Sequence, residues 1–350
     1  MAFPQAETLS SGQQLYGSLQ ELWKIQTSSS AAVHPKLPQT SSSRLASTSN
    51  EKTILYLAYG SNLSAQTFLG NRGIKPLSAI NAHIPSLSLT FDLPGIPYIE
   101  PCFANTRYSD TKFSPPTNDD YHKDRWHKGL IGVVYEVTPE DYRTIIATEG
   151  GGASYQDVIV PCYTLPPGLK TVDPEPKGFP FMAHTLFSPR SSDNGRLQRP
   201  DPSYAQASAR YMKLITDGGE EHSLPADYMA FLYNIRSYTI TTYRQKAGQA
   251  LFLAVWSPFI LAILGLGQKL ADGDGRVPVW FAKVTALIFI GMWGSYDMLY
   301  KKAFGDGERT IGDTDEDGDE ESGIGSRCIG PHRWTGKMPG ATRLLGNTAP

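Results

Sequence analysis

Apolar and polar positions come in short strand-like and helix-like runs over the first two thirds of the chain, then merge into two long apolar stretches. "KTILYLAYG" reads as a strand bounded by Gly60, "LSLTFDLPG" as a second ending at Pro94-Gly95, and "GLIGVVYEV" as a third bounded by Thr138-Pro139. "TPEDYRTIIATEGGG" has a capping residue at Thr138, proline at the first helical position and acids in the first turn. These signals agree on a helix that the glycines at 150–152 end. Two more strands are expected in "YQDVIVPCYTL" and "GFPFMAHTLF", joined by a Pro/Gly-rich connection. From Ser203 to Arg236 the spacing becomes helical: Tyr211, Leu214 and Ile215, a break at "DGGEEHSLP", then Tyr228, Phe231, Leu232 and Ile235. Strands and helices do not alternate as in a Rossmann sheet, so a mixed α+β fold is expected.

After Lys246 the pattern changes. "GQALFLAVWSPFILAILGLGQ" carries no charge over about twenty residues, the length that spans a bilayer core. A second stretch, "VWFAKVTALIFIGMWGSYDMLY", is aromatic at both ends, as interfacial residues often are, and is interrupted by Lys283, which can snorkel to a nearby interface. The segments at 250–267 and 279–300 therefore predict a two-helix membrane hairpin; Pro258 would kink the first helix without forbidding it. Two buried helices of a larger soluble core, or a hairpin lying in the membrane plane, are the alternatives. Arg236, Arg244 and Lys246 precede the hairpin and Lys301-Lys302 follow it, which by the positive-inside rule places both flanks in the cytosol.

Composition completes this division. Residues 27–50 have too few apolar groups to offset chain entropy, and "GDGERTIGDTDEDGDEESGIG" is an acidic run without the flanking helices or regular ligand spacing of a calcium loop. The expected organisation is a disordered Ser/Thr-rich leader over 1–50, a folded domain over 51–243, the hairpin over 244–304 and a disordered tail over 305–350. With 32 Lys+Arg against 34 Asp+Glu, no global field draws the chain to nucleic acid, and no such partner is expected. The N-terminal stretch lacks the apolar core of a cleavable signal peptide. Cys102, Cys162 and Cys328 show no CxxC spacing, so neither a disulfide framework nor a metal site is expected; Cys102 and Cys162 read as buried small hydrophobes.

Two places carry candidate chemistry. At Tyr59-Gly60-Ser61-Asn62 a strand stops in a turn that a helix-compatible stretch follows. Gly60 permits close approach of a ligand to the backbone, and the free N–H groups of such a turn favour a carboxylate or phosphate. A plain capped turn gives the same sequence. Asn62-Leu63-Ser64 is also a glycosylation sequon, whose use would block the cradle. Glu149 lies at the expected helix C-terminus, where the dipole disfavours a carboxylate and so raises its proton affinity toward the range useful for acid/base work; a solvated helix-end glutamate is the bland alternative. His184 and His222 each stand without a partner at motif spacing and read as structural.

"YLAYGSNL", "GLIGVVYEVTPEDYRTIIATEGGGASY" and "ARYMKLITDGGEEHSLPADYMAFL", in this order, resemble the gamma-glutamylcyclotransferase family, and most closely its fungal members associated with epidithiodiketopiperazine (gliotoxin-type) clusters. The resemblance covers residues 53–236. It implies a small mixed β-barrel flanked by helices, with Tyr59, Gly60, Ser61 and Asn62 holding the gamma-glutamyl head group and Glu149 as general acid/base. Tyr155 and Thr185 are candidate substrate contacts, Thr185 standing where some members place a tyrosine. The segment from Pro94 to Trp126 is longer than in small members, which implies a different acceptor side. The implied reaction is intramolecular: the substrate's α-amine attacks its own γ-carbonyl and 5-oxoproline leaves, with no cofactor or metal required. Gamma-glutamyl peptides or glutathione-derived conjugates would be substrates; the alternatives are a gamma-glutamylamine cyclotransferase and a membrane-bound module that binds gamma-glutamyl compounds without turnover.

Overall fold

The computed structural model describes residues 37–47, 52–109, 126–148, 156–187, 205–270, 272 and 277–310. Seven strands form along the chain: β1 (Ile54–Ala58), β2 (Ser78–Ile84), β3 (Leu87–Ile96), β4 (Glu100–Tyr108), β5 (Leu130–Val137), β6 (Gln156–Thr164) and β7 (Phe181–Phe187). Five of them close a barrel in the order β1-β5-β2-β6-β7, while β3 and β4 make a separate two-stranded ribbon. All barrel pairings are antiparallel except the seam, where β1 meets β7 in parallel at Tyr56 and His184. This is the expected α+β barrel.

β1 and β5 read as nearly continuous apolar runs because both of their faces are covered, and Leu57, Val133 and Val134 are fully buried. Gly132 lets the two strands meet: a Cβ there would lie 2.4 Å from the Ala58 carbonyl oxygen. β2 and β4 escape the sequence pattern because polar residues interrupt them. Several of these residues have long-range partners: Asn81 Nδ2 donates to the His222 carbonyl, Asn105 Nδ2 to Asp92 Oδ1, and Arg210 to Glu100 Oε2 at 2.6 Å. β3 runs on through Pro94 and Gly95 to Ile96, beyond its expected end, since a two-stranded ribbon always has an open edge that tolerates a missing N–H.

Helices pack around the barrel. After α1 (Ser42–Ala46), α2 (Pro139–Thr148) starts where the sequence predicts, with Thr138 Oγ1 accepting from the Asp141 N–H at 3.1 Å; its expected glycine stop lies outside the described residues. α3 (Ala209–Glu221) and α4 (Ala226–Asn234) flank the other side. The expected break at "DGGEEHSLP" is shorter than its sequence suggests. α3 continues through Gly218 and Gly219, and the chain turns only at His222–Pro225.

The leader and tail also need correction at their inner ends. Residues 37–47 lie on the barrel: Gln39 bridges to Ala79, and Arg44 Nε donates to Glu136 Oε1 at 3.1 Å and to Thr53 Oγ1 at 2.9 Å. Three side chains, Arg44, Thr53 and Ser78, thus converge on the Glu136 carboxylate. At the other end residues 305–310 form a strap. The Tyr98 N–H donates to the Gly307 carbonyl at 2.8 Å, the Gln206 N–H to the Glu308 carbonyl at 2.8 Å and Gln245 Nε2 to the Asp306 carbonyl at 2.7 Å. Composition missed both segments because polar bonds to distant residues hold much of them, with only Leu37 and Leu45 of the leader segment packing on the barrel core.

α5 (Tyr243–Leu270) contains Pro258, and α6 (Val279–Ser295) runs on through a wide turn at Tyr296–Tyr300 into α7 (Lys301–Phe304). Two spans, Tyr243–Gly267 and Val279–Phe304, are long and apolar enough to cross a membrane, with mean hydropathies of 2.2 and 1.3. A second hydrophobic core joins them. It comprises Phe252, Ile260, Met292, Trp293, Tyr296 and Tyr300 of the hairpin together with Tyr98 from the tip of the β3–β4 ribbon.

Candidate functional site

β1 ends at Ala58, and the chain closes into a single tight turn over Ser61–Leu63, followed by a wide turn at Gln66–Asn71. No long helix stands behind the Tyr59–Asn62 stretch, so its capacity for an anion comes from local N–H groups rather than from a helix macrodipole. Within the turn the Leu63 N–H donates to the Gly60 carbonyl at 3.0 Å and the Ser64 N–H to the Ser61 carbonyl at 3.1 Å. The N–H groups of Gly60 and Ser61 take no part in these bonds.

Four residues expected at the turn divide their work. Tyr59 is buried and its hydroxyl donates to the Leu186 carbonyl of β7 at 2.7 Å, which ties the turn to the barrel. Asn62 is also buried, with Nδ2 donating to the Tyr56 hydroxyl at 2.9 Å. A buried, bonded Nδ2 is closed to glycosylation, so the sequon does not compete with the cradle. Gly60 and Ser61 present backbone. A Cβ at Gly60 would stand 3.1 Å from the Tyr211 hydroxyl and 3.4 Å from Ala104 Cβ, so glycine is what fits between the turn and the ribbon.

The wall behind this turn comes largely from α3. Tyr211 lies behind Gly60 and accepts the Ala104 N–H at 3.2 Å. Gly218 presses on the next residues: a Cβ there would be 2.3 Å from the Leu63 carbonyl carbon and 2.4 Å from the Ser64 nitrogen. Glu221 Oε2 accepts the Ala65 N–H at 2.8 Å. The Tyr135 hydroxyl lies 3.3 Å from the Leu63 carbonyl oxygen and 2.7 Å from His222 Nε2, with Phe68 stacked on its ring at 4.5 Å. Burial lowers the His222 pKa to about 4 and raises that of Tyr135, so both are neutral near pH 7. Of these wall residues the sequence singled out His222, as structural, and Tyr211, as part of a helical spacing; Tyr135, Gly218 and Glu221 it did not. The signal available was the pair of glycines inside an otherwise helical run, which marks close backbone packing as readily as a break.

Opposite the turn, α2 lays Tyr142 against Tyr56 and His184, with ring centroids 6.1 and 5.5 Å apart. α2 ends at Thr148; Glu149, the next residue, and Tyr155 lie outside the described residues. Thr185 is fully buried and its hydroxyl donates to the Leu57 carbonyl at 3.1 Å. In this conformation it holds the β1–β7 seam instead of offering a hydroxyl to a ligand. His184 Nδ1 lies 2.9 Å from Asp157 Oδ1, and His222 belongs to the wall, so both have the structural settings expected of them. Cys102 and Cys162 are buried thiols, as their contexts predict, and burial pushes the Cys162 pKa up.

Known proteins share this arrangement of sequence. A gamma-glutamyl cyclotransferase, gliK, of Aspergillus fumigatus is 32% identical over 257 residues, covering 73% of this chain and 89% of its own. Another, aclK of Aspergillus oryzae, is 31% identical over 265 residues, covering 74% of this chain and 91% of its own. The chain belongs to the gamma-glutamyl cyclotransferase family. Its hairpin is shared as well: a family model described as "AclK C-terminal domain" matches residues 242–302, a region the three sequence motifs leave out. Among solved structures, one titled gamma-glutamyl cyclotransferase aligns over 56% of this chain and 97% of its own at 18% identity, with a TM-score of 0.38.

Proposed function

We propose that the protein is a membrane-tethered gamma-glutamylcyclotransferase that releases 5-oxoproline from gamma-glutamyl peptides or glutathione-derived conjugates, and that it serves fungal secondary metabolism. The observation that carries this reading is the Gly60–Ser61 backbone, held open between buried Tyr59 and Asn62 in a chain whose relatives are named for that activity.

The chemistry needs little beyond positioning. The substrate's α-amine and γ-carbonyl are already in one molecule, and closing the five-membered lactam requires only that the chain be bent and the amine deprotonated. The Gly60 and Ser61 N–H groups would hold the α-carboxylate or the oxyanion that develops on the γ-carbonyl. Glu149 would take a proton from the ammonium and return it to the departing amine. Tyr155 remains a candidate substrate contact. Thr185 acts through the seam it closes. The membrane reading is supported by the outward apolar surfaces of the hairpin, and the charges at 236, 244, 246, 301 and 302 support a catalytic domain facing the cytosol.

The test uses the full chain in detergent or lipid nanodiscs, supplied with glutathione, gamma-glutamyl amino acids, a gamma-glutamyl thiol conjugate and a gamma-glutamylamine. Formation of 5-oxoproline by the wild type, lost by at least about a hundredfold in Glu149→Gln, supports the assignment. Full activity in Glu149→Gln would remove the acid/base role. Folded wild type that yields no lactam from any of the four would overturn the reading.

A further inference from the structure

The wall behind the cradle contains one hydrogen-bond chain that ordinary packing does not require. Tyr135 lies in the barrel strand β5, His222 in the turn after α3, and Leu63 at the end of the cradle turn. Their polar atoms meet at the Tyr135 hydroxyl, which has a single proton and two neighbours: the Leu63 carbonyl oxygen at 3.3 Å and His222 Nε2 at 2.7 Å. The Leu63 carbonyl can only accept. If His222 carried its proton on Nδ1, its Nε2 could only accept too, and one of the two acceptors would go without a donor. With the proton on Nε2, the imidazole donates to the phenol oxygen and the phenol donates to Leu63, and every group is served. The Nε2–H tautomer of a neutral histidine is thus the one that serves every member of the chain.

Leu63 is also the residue whose N–H closes the turn onto the Gly60 carbonyl. The peptide plane that holds the Leu63 carbonyl also carries the Ser64 N–H, which donates to the Ser61 carbonyl, so fixing that carbonyl orients the turn that presents the Gly60 and Ser61 N–H groups. Neighbouring contacts clamp the same place: Gly218 touches the Leu63 and Ser64 backbone, and Glu221 receives the Ala65 N–H. These clamps limit displacement of the turn. The hydrogen-bond chain sets its rotation.

We propose that Tyr135 and His222 are positioning residues for the gamma-glutamyl cradle, acting as a directed relay from His222 Nε2–H through the Tyr135 hydroxyl to the Leu63 carbonyl. The proposal rests on the cyclotransferase reading for its kinetic test, and on the geometry alone for its spectroscopic one. Neither residue touches substrate or exchanges a proton with it.

The experiment uses the full chain in nanodiscs and four variants: Tyr135→Phe, His222→Leu, His222→Gln and the Tyr135→Phe/His222→Leu pair. Tyr135→Phe keeps the ring stacked on Phe68 and removes only the hydroxyl. Losing this bond is expected to raise KM for the gamma-glutamyl substrate about five- to tenfold, with kcat changed less than about twofold. His222→Leu should behave similarly, and the double variant no worse than the poorer single one, since both break one chain. His222→Gln, which restores an N–H donor near the Nε2 position, should recover most of the wild-type KM.

KM unchanged in Tyr135→Phe, with only a lower melting temperature, would reduce the pair to structural filler and overturn the proposal. Independent effects that multiply in the double variant would do the same. Nitrogen-15 NMR of the histidine side chains, assigned with His222→Gln, gives the second readout: the Nε2–H tautomer at pH 7, with resonances displaced in Tyr135→Phe, supports the relay. The Nδ1–H tautomer refutes it. Wild type that makes no 5-oxoproline would sink the cyclotransferase reading, whereas the NMR result would still decide the relay.

Discussion

The barrel and the hairpin are built on opposite plans. In the barrel, Leu57, Ile131, Val134 and Ala183 are fully buried, and buried polar side chains such as Thr185 bond within it. In the hairpin, Leu251, Val255, Phe259, Trp280 and Leu287 face outward, while Gln245 and Ser257 are buried. Gln245 uses its carbonyl to cap the Thr241 and Thr242 N–H groups and its amide to hold Asp306. On the membrane-tethered reading proposed above, one polypeptide is folded for two solvents: water rewards the first plan, and hydrocarbon rewards the second, where helix contacts need polar groups inside and tolerate apolar groups outside. The two plans touch at Tyr98. This residue sits at the ribbon tip with a φ of 66°, and its ring meets Phe252 at 6.0 Å and Tyr296 at 5.7 Å.

Breaking that joint should have the largest effect. Tyr98→Ala removes a fully buried aromatic from the second core and the bond from its hydroxyl to the Gly305 carbonyl, a loss of about 3–5 kcal/mol for truncations of this kind. The expected result is a ribbon that protease cleaves readily and a lower inactivation temperature in detergent. Since β4 also carries Ala104, which touches the cradle glycine's space, activity should fall with it. Proteolysis and inactivation identical to wild type would mean that barrel and hairpin are independent after all.

The two solvents can be told apart by placing the same charge on each surface. Leu287 on α6 is 66% exposed and Leu77 beside the barrel is 47% exposed, so by accessibility alone the substitutions look alike. In hydrocarbon an arginine near a helix centre costs about 2.5–3.5 kcal/mol, against about 0.5 kcal/mol or less on a watery surface. Leu287→Arg should therefore lower the fraction of protein that resists carbonate extraction from membranes, and Leu77→Arg should leave it alone. Equal behaviour of the two variants would argue for a hairpin in water.

Beside the barrel, in the turn after α3, the corresponding weak point is a buried neutral histidine. Burial holds the His222 pKa near 4, below the ordinary value of 6.5, so the folded protein binds fewer protons than the unfolded chain between these values. Its contribution is complete above about pH 6.5 and is lost as pH falls toward 4, a change of up to about 3 kcal/mol. The difference in thermal midpoint between wild type and His222→Gln, followed from pH 8 to pH 4.5, isolates it. A difference that does not vary with pH would show that His222 is not held neutral.

The sequence revealed those parts of each region whose residues follow one rule at a time. β1, β5 and α2 were legible because apolar runs, a proline and a capping threonine agree, and the hairpin because its apolar runs exceed any soluble strand or short helix. β2 and β4 were not, since Asn81, His83 and Glu100 are polar for reasons of long-range pairing that no local window contains. The YGSN turn was visible as a turn. Its wall was hidden because Tyr135, Gly218, Glu221 and His222 come from distant stretches, and because Gly218 reads locally as a helix breaker when its purpose is to let α3 touch Leu63. The inner ends of leader and tail were hidden similarly, by Arg44 and Asp306 bonding to partners 61 to 92 positions away.

The smallest expected effect sharpens the comparison most finely. Trp256 Nε1 donates to Ser295 Oγ at 3.1 Å, a polar bond between α5 and α6 inside otherwise apolar helices, and Ser295 in turn donates to the Met292 carbonyl. A buried bond of this type in a watery protein would cost about 1–3 kcal/mol if its acceptor were removed, because the indole N–H is left without a partner. Between membrane helices the measured average is only about 0.6 kcal/mol, since the unpacked state also finds partners for its polar groups. Ser295→Ala should therefore shift the unfolding equilibrium in nanodiscs by well under the watery figure, and by less than the matched loss of the Asn105 amide bond in the β3–β4 ribbon through Asn105→Ala. If Ser295→Ala proved the costlier of the two, the seam between α5 and α6 would have to be treated as a soluble core, and the contrast between the two regions would lose its physical basis.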